Sequence, residues 1–229
     1  MSDRAQTPDP RRTLRERDLV GAELADWRML IDRLHASFDT GDFATGVRLV
    51  DAIALAAEEA AHHPDLDLSY GRLDVRLFSH DAGGVTVRDV ELARAISELA
   101  ATAGATSHPE RTSVLELGLD SADEAQIRPF WAALLDYDPV QAWGELQLRD
   151  ATGRRPTIWF QPTEPHEVPR QRWHLDLRIP PEVVQTRIAA AIEAGGELVD
   201  DSAAPAYWVL ADPQGNRACL TTWEGREPA

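Results

Sequence analysis

The sequence predicts an α+β protein built from two units, and two observations carry that prediction. The first half alternates stretches of helical periodicity with short alternating stretches that are typical of strands. The second half contains an internal repeat of about fifty to sixty residues, which predicts a pseudo-twofold domain. The length of 229 residues favours two domains over one.

The predicted elements of the first unit begin with a helix over 13–25, because Thr13-Leu-Arg-Glu16 fits a capping box. One or two short strands with a turn are predicted over 27–38. A long helix is then predicted from Asp42 to the His62-His63-Pro64 run, where proline ends it. Its apolar positions form one predicted buried stripe: Phe43, Val47, Val50, Ile53, Ala54 and Ala57.

A strand and a second helix complete the first unit. Residues 73–78 alternate as a strand with Leu73, Val75 and Leu77 on one face, and Thr86-Val-Arg-Asp89 begins a helix that runs to about residue 100. We expect residues 1–12 to be a disordered tail and the small, polar residues 102–111 to be a linker. The predicted domains are therefore 13–101 and 112–225.

The repeat in the second unit is visible at two places. Residues 115–120 match residues 173–178, and residues 150–158 match residues 212–220. Each copy predicts a strand, a helix and then a strand–turn–strand, so we expect two βαβββ modules related by a pseudo-twofold axis. A cleft between two such halves is a usual place for a ligand.

The composition excludes several classes of function. The net charge is −16, and all basic residues are arginine, so a basic surface for nucleic acid or anionic membranes is not expected. The absence of lysine excludes Schiff-base catalysis and a P-loop lysine. A single cysteine, Cys219, excludes an internal disulfide. No run is long enough to cross a membrane, and the N-terminus lacks a signal-peptide core, so we expect a cytoplasmic protein.

Three of the seven histidines, His62, His63 and His80, lie within nineteen residues of one another. Imidazole titrates near neutrality, so such a cluster suits proton transfer in both directions. Glu58 lies one turn before His62 and can orient it or raise its pKa. The alternatives are a histidine-capped helix end, a zinc site, a solvated Glu58, and Asp89 acting only as an early-helix acid.

Residues 14–101 resemble the pterin-4a-carbinolamine dehydratases (4a-hydroxytetrahydrobiopterin dehydratases). The matching residues are Asp42-Phe43, Glu58-x-x-x-His62-His63-Pro64, Tyr70, Ser79-His80, Gly83-Gly84-Val85-Thr86 and Asp89. The resemblance implies an antiparallel sheet covered on one face by three helices, and a metal-free dehydration of a 4a-hydroxytetrahydropterin to the quinonoid dihydropterin. It implies His62, His63, His80 and Glu58 as catalytic residues. The expected substrate-binding residues are Pro64, Asp65, Ser79, Gly84 and Asp89.

Residues 114–223 resemble a glyoxalase-like domain of the vicinal oxygen chelate superfamily, through the repeat, Phe130-Trp131 and Asp212-Pro213-x-Gly215-Asn216. The resemblance implies four metal-ligand positions: Glu116, Thr157, His174 and Cys219. Threonine is a poor ligand and cysteine is not the usual carboxylate, so we expect no tight metal. Glu116, His174 and Cys219 stay the candidates for one. The alternatives for His174 are a hydrogen-bond network or contact with an organic ligand.

The function predicted from these features is a pterin dehydratase with an accessory glyoxalase-like unit. We expect no cofactor, a pterin substrate, no nucleic-acid or membrane partner, and a homodimer. The sequence does not distinguish which histidine is the acid and which the base. Two other functions remain open: a non-catalytic protein for dimerisation or small-molecule binding, and a metal-dependent lyase or dioxygenase in the second unit.

Overall fold

A computed structural model describes residues 11–135, 137–142, 144–165, 173–193, 195–211 and 217–225. The chain divides into two compact units, Met1–Thr112 and Ser113–Ala229. Both units combine helices with a sheet, so the predicted α+β class is confirmed. Among the described residues, no helix combines the length and the apolar composition that a membrane span requires.

The first unit contains one antiparallel sheet. Its strands are β1 (Arg28–Leu30), β2 (Arg33–Asp39), β3 (Asp65–Ser69), β4 (Arg72–Leu77) and β5 (Thr106–Ser107). The order is β1-β2-β4-β3, and β5 pairs with β2. Leu73, Val75 and Leu77 are fully buried on one face, as their alternation predicts. Two helices, α1 (Phe43–Ala60) and α2 (Val87–Thr102), contribute to the same core.

The helix predicted over 13–25 is wrong. Only Glu16–Leu19 is helical, as a single 3-10 turn. Gly21 and Glu23 have φ angles of +83° and +56°, in the left-handed region that a right-handed helix does not use. The first of the three expected helices is therefore this short turn.

The buried face of α1 also differs from the predicted stripe. The buried residues are Gly46, Leu49, Ile53 and Ala57, whereas Phe43 and Val47 are 54% and 38% exposed. Gly46 packs closely on β3, since a Cβ atom there would lie 2.4 Å from Leu68 Cδ1. The absence of a side chain at Gly46 lets the helix approach β3 on this face.

Residues 102–111 are structured rather than a free linker. Thr106 and Ser107 of β5 pair with Asp39 and Phe38 at the end of β2. His108 then donates its backbone N–H to the Ser37 carbonyl at 2.8 Å. The small, polar composition predicts a linker, but a two-residue edge strand needs no apolar run. The division between the units falls after Thr112.

The second unit is one eight-stranded sheet made of two βαβββ modules. The first module contains β6 (Val114–Ser121), α3 (Glu124–Leu135), β7 (Asp138–Ala142), β8 (Glu145–Arg149) and β9 (Thr157–Pro162). The second contains β10 (Trp173–Arg178), α4 (Val184–Glu193), β11 (Glu197–Asp200), β12 (Tyr207–Ala211) and β13 (Arg217–Thr221). The strand order is β11-β12-β13-β10-β6-β9-β8-β7, so the first strands of the modules meet at the centre. This arrangement confirms the predicted pair of modules.

The register of the sheet corrects the repeat alignment by two residues. Glu116 pairs with Thr157, and Asp176 pairs with Cys219, which is the repeat equivalent of Thr157. The equivalent of Glu116 is therefore Asp176 and not His174. A shift of two residues keeps every side chain on the same face, so alternation alone does not reveal it.

Candidate active site

The His62-His63 pair lies at the end of α1, where the backbone turns sharply. Ala61 has a φ of +47°, and its N–H donates to the carbonyls of Ala57 and Glu58. The His62 N–H donates to the Ala57 carbonyl at 3.0 Å. This left-handed helix cap sends the two neighbouring imidazoles to different environments, since His62 is buried and His63 is exposed.

The buried His62 is held by Asp89, in the first turn of α2. His62 Nε2 lies 2.7 Å from Asp89 Oδ1. The other oxygen, Oδ2, accepts hydrogen bonds from Ser79 Oγ at 2.6 Å and from the Thr86 N–H at 2.7 Å. Thr86 begins α2 through the predicted capping box. One carboxylate therefore joins the end of α1, the turn after β4 and the start of α2.

Burial assigns Asp89 and Ser79 to this internal network. Asp89 is fully buried and Ser79 is 1% exposed. The sequence predicts that both bind substrate, and it leaves open that Asp89 is only an early-helix acid. The Ser79 hydroxyl bonds to Asp89, and Asp89 bonds to His62, which gives Asp89 a role beyond the helix dipole.

The prediction that Glu58 orients His62 is wrong. Glu58 Oε1 lies 3.2 Å from Nε2 of His63, and both side chains are exposed. The left-handed residue Ala61 explains the difference, because it takes His62 off the helical path on which Glu58 would lie one turn away. Glu58 therefore acts on the exposed histidine.

His80 follows Ser79 in the turn between β4 and α2, and its side chain is exposed. Its ring packs edge-on against Phe78, with centroids 5.1 Å apart. The next residue, Asp81, accepts a hydrogen bond from Arg88 at 2.6 Å. This bond lowers the pKa of Asp81, so an ion pair of Asp81 with Arg88 follows His80 in the chain.

The two glycines after His80 differ. Gly83 has a φ of +70° and open space around its Cα, whereas Gly84 is buried against Thr13. A Cβ atom on Gly84 would lie 3.1 Å from Thr13 Cγ2. The space beside Gly84 is therefore occupied by Thr13, whereas the space beside Gly83 is open.

The polar face of the second unit gathers charged groups at its centre. Imidazole nitrogens of His174 lie 3.5 Å from oxygens of Asp120 and Asp176, and the ring packs edge-on against Trp159. Glu116 and Arg178, 4.0 Å apart, are both buried. His174 thus lies between two carboxylates, and the alternatives for its role stay open.

Among the described residues, one group of side chains could hold a metal ion. Ligand atoms of His174, Asp176 and Cys219 lie within 4.8 Å of one another. This trio contains two of the three candidates and replaces Glu116 by Asp176, as the corrected register requires. Zinc accepts such a mixture of N, O and S ligands. Thr157, which pairs with Glu116 in the same sheet, supplies only a neutral hydroxyl.

Comparison with known proteins identifies both units. Residues 11–99 match the family model "Pterin 4 alpha carbinolamine dehydratase". A protein of Thermosynechococcus vestitus whose name places it with these dehydratases is 43% identical over 79 residues, which is 34% of this chain and 83% of that protein. A second, from Aquifex aeolicus, is 42% identical over 76 residues, 33% of this chain and 77% of that protein. The chain belongs to the pterin-4-alpha-carbinolamine dehydratase family.

The second unit of this dehydratase-family protein matches a glyoxalase-like domain over residues 116–221. Two solved structures are similar to parts of the chain. A transcriptional coactivator/pterin dehydratase from Brucella melitensis is 32% identical, with a TM-score of 0.38, over 39% of this chain and 99% of its own. A glyoxalase/bleomycin resistance protein/dioxygenase superfamily member from Vibrio splendidus is 12% identical, with a TM-score of 0.34, over 48% of this chain and 99% of its own.

Some contacts around the dehydratase-family site are not predicted from the sequence. Thr86 was seen only as a helix start, yet its N–H is a main partner of Asp89. Asp65, expected to bind substrate, is paired with Arg33 and Arg76, at 3.5 and 3.8 Å. Its neighbour Pro64 is half-buried. His166 and residues 212–216 lie outside the described residues, as does the side chain of Phe130.

Proposed function

We propose that this protein removes water from 4a-hydroxytetrahydrobiopterin (pterin-4a-carbinolamine) to give the quinonoid dihydropterin. The observation that carries the proposal is the Asp89 bridge. Asp89 bonds to His62 and to Ser79, and the residues that follow these two in the chain are the exposed histidines His63 and His80. Two solvent-accessible imidazoles are thereby anchored to one rigid group. Membership in the dehydratase family supports the same reaction class.

The reaction needs two proton transfers and no redox change. The C4a–O bond breaks, and the departing hydroxyl takes a proton from a general acid and leaves as water. A ring nitrogen gives its proton to a general base, and the electron pair of that N–H bond forms the new C=N bond. Each such transfer typically contributes about 10²–10⁴-fold to a rate. Imidazole is the side chain suited to both roles, because it can donate or accept a proton.

Exposure divides the work among the three histidines. We assign proton transfer to His63 and His80, because a substrate can reach both rings. His62, which is 7% exposed and bonded to Asp89, orients the turn that presents His63. Glu58 contacts His63 at 3.2 Å and so restrains the orientation of its ring.

A dehydration assay on the full chain without added metal tests this proposal. We expect a rate above the uncatalysed reaction, and a loss of at least about tenfold in His63→Ala and in His80→Ala. His108→Ala is the matched control, because His108 also pairs with a carboxylate, Glu110 at 2.8 Å, but is no part of the cluster. Wild-type rates in both active-site variants would refute the mechanism.

We propose an accessory role for the second unit, as a site for a small organic molecule on its polar face. The support is that Thr157, which pairs with Glu116 on the central strands, occupies one of the four metal-ligand positions and offers only a neutral hydroxyl. The metal-dependent lyase or dioxygenase is a second candidate, favoured by the His174, Asp176 and Cys219 trio. His174→Ala separates the accessory role from the main one, since it should leave the dehydration rate unchanged.

A further inference from the structure

Arg33 lies where the two histidine-bearing segments approach the sheet. It is the first residue of β2, after a turn in which Ile31 has a φ of +63°. The side chain is only 20% exposed. Its guanidinium lies over the ring of Phe78, with Cζ 4.4 Å from the ring centroid. A cation this close to an aromatic face, and partly removed from water, is in the range of an effective cation–π contact.

The same guanidinium reaches the segment that carries His63. Arg33 Nη1 lies 3.5 Å from Oδ2 of Asp65, and Arg33 Nε lies 3.7 Å from Oδ1 of Asp32. Asp65 begins β3, two residues after His63 and directly after Pro64. Proline restricts the backbone between His63 and Asp65. Fixing Asp65 therefore also restrains the position of His63, just before the chain enters the sheet.

Phe78 carries the contact to the other segment. It precedes Ser79, whose hydroxyl is bonded to Asp89, and its ring meets the ring of His80 at an interplanar angle of 83°. The described contacts thus form a continuous series from the Asp65 carboxylate through the Arg33 guanidinium and the Phe78 ring to the His80 imidazole.

We propose that Arg33 is a positioning residue of the dehydratase site, one that fixes His80 relative to the His63 segment through Phe78 and Asp65. This proposal rests on the proposed function. Arginine suits the role because a planar guanidinium can stack on a ring and pair with a carboxylate at the same time. Lysine offers a single charged point and satisfies only one of these contacts well.

Kinetics on the full chain give the first test. Arg33→Met keeps an unbranched apolar stem and removes the planar, charged guanidinium. We expect kcat to fall on the order of tenfold with a small change in KM, because misplacement of a proton-transfer group acts on the chemical step. Arg33→Lys should restore only part of the rate. Arg72→Met is the control, since Arg72 pairs with Asp74 on the same sheet without touching Phe78.

The ring signals of His80 give a second test that does not depend on activity. Arg33→Met and Phe78→Leu should both shift the imidazole resonances of His80, because both change its aromatic and charged surroundings, whereas Arg72→Met should not. The double variant should lose little more kcat than either single variant, since both interrupt the same series of contacts.

The outcomes separate the two proposals. Unmoved His80 signals in Arg33→Met would overturn the positioning role, and so would wild-type kcat in that variant or fully additive losses in the double variant. A wild-type protein without dehydratase activity would refute the proposed function instead. In that case the His80 signals alone decide whether Arg33 positions the ring.

Discussion

Two adjacent histidines in this protein have opposite surroundings. His62 is buried against a carboxylate, and His63 is exposed beside another. The left-handed backbone of Ala61 produces this difference in one residue step. The result is that one imidazole stabilises the turn and the other is accessible to solvent.

Asp89 should be the most sensitive position of the first unit. Asp89→Ala removes the acceptor for Ser79 Oγ and the Thr86 N–H and leaves His62 without its carboxylate. Because these groups are buried, we expect the free energy of unfolding to fall by about 3 kcal/mol or more. Denaturant titration measures it. Glu58→Ala, which removes an exposed partner of His63, is the control and should change stability little. Equal effects of the two substitutions would contradict the bridge.

His35 predicts a pH dependence of stability. Burial, and then the positive charges of Arg76 and Arg33, lower its pKa from 6.5 to about 3. Between these values the unfolded chain binds a proton at His35 that the folded chain does not, so this residue lowers stability as the pH falls from about 6.5 to about 3. His35→Gln should unfold with a weaker pH dependence over that window. The measurement is the free energy of unfolding of both proteins as a function of pH. If the two values differ by the same amount at every pH from 8 down to about 3, the assignment is refuted.

At the scale of elements, the sequence predicts what short-range patterns encode. Alternation predicts β4 and its buried face, and the capping box predicts the start of α2. It does not predict the buried face of α1, because Leu68, against which Gly46 packs, lies on β3. Nor does it predict the partner of His62, since Asp89 is twenty-seven residues away and is brought close only by the packing of α1 on α2.

The central strands of the second unit carry a prediction about metal content. We expect no tightly held metal, because Thr157 offers only a neutral hydroxyl at one of the four ligand positions, and because the Cys219 thiol must ionise from a usual pKa of about 8.5. Elemental analysis of protein purified without chelators measures this. Near-stoichiometric zinc, iron or manganese that disappears in His174→Ala would show that the trio is a metal site.

At the scale of the whole molecule, we predict that the chain self-associates as a dimer. Phe43 and Val47 lie on one stripe of α1 and are exposed, and apolar surface of this kind is typical of contacts between copies. Sedimentation at micromolar concentration should show a dimer, and Phe43→Glu or Val47→Glu should shift it toward monomer. Val20→Glu, which changes an exposed apolar residue outside α1, is the control. A wild-type protein that sediments only as monomer would disprove the prediction.

The short strand β5 has a consequence for dividing the chain into separately expressed pieces. A cut at residue 101, where composition changes, would strip the edge from β2 and leave backbone groups of Phe38 and Asp39 without their β5 partners. It would also remove the donor to the Ser37 carbonyl. Exposed edges of this kind invite pairing with other chains and aggregation. A fragment of the first unit that extends through Thr112 keeps β5 on the edge of β2. Aggregation of a shorter fragment would therefore indicate a damaged sheet edge and not dependence on the glyoxalase-like unit.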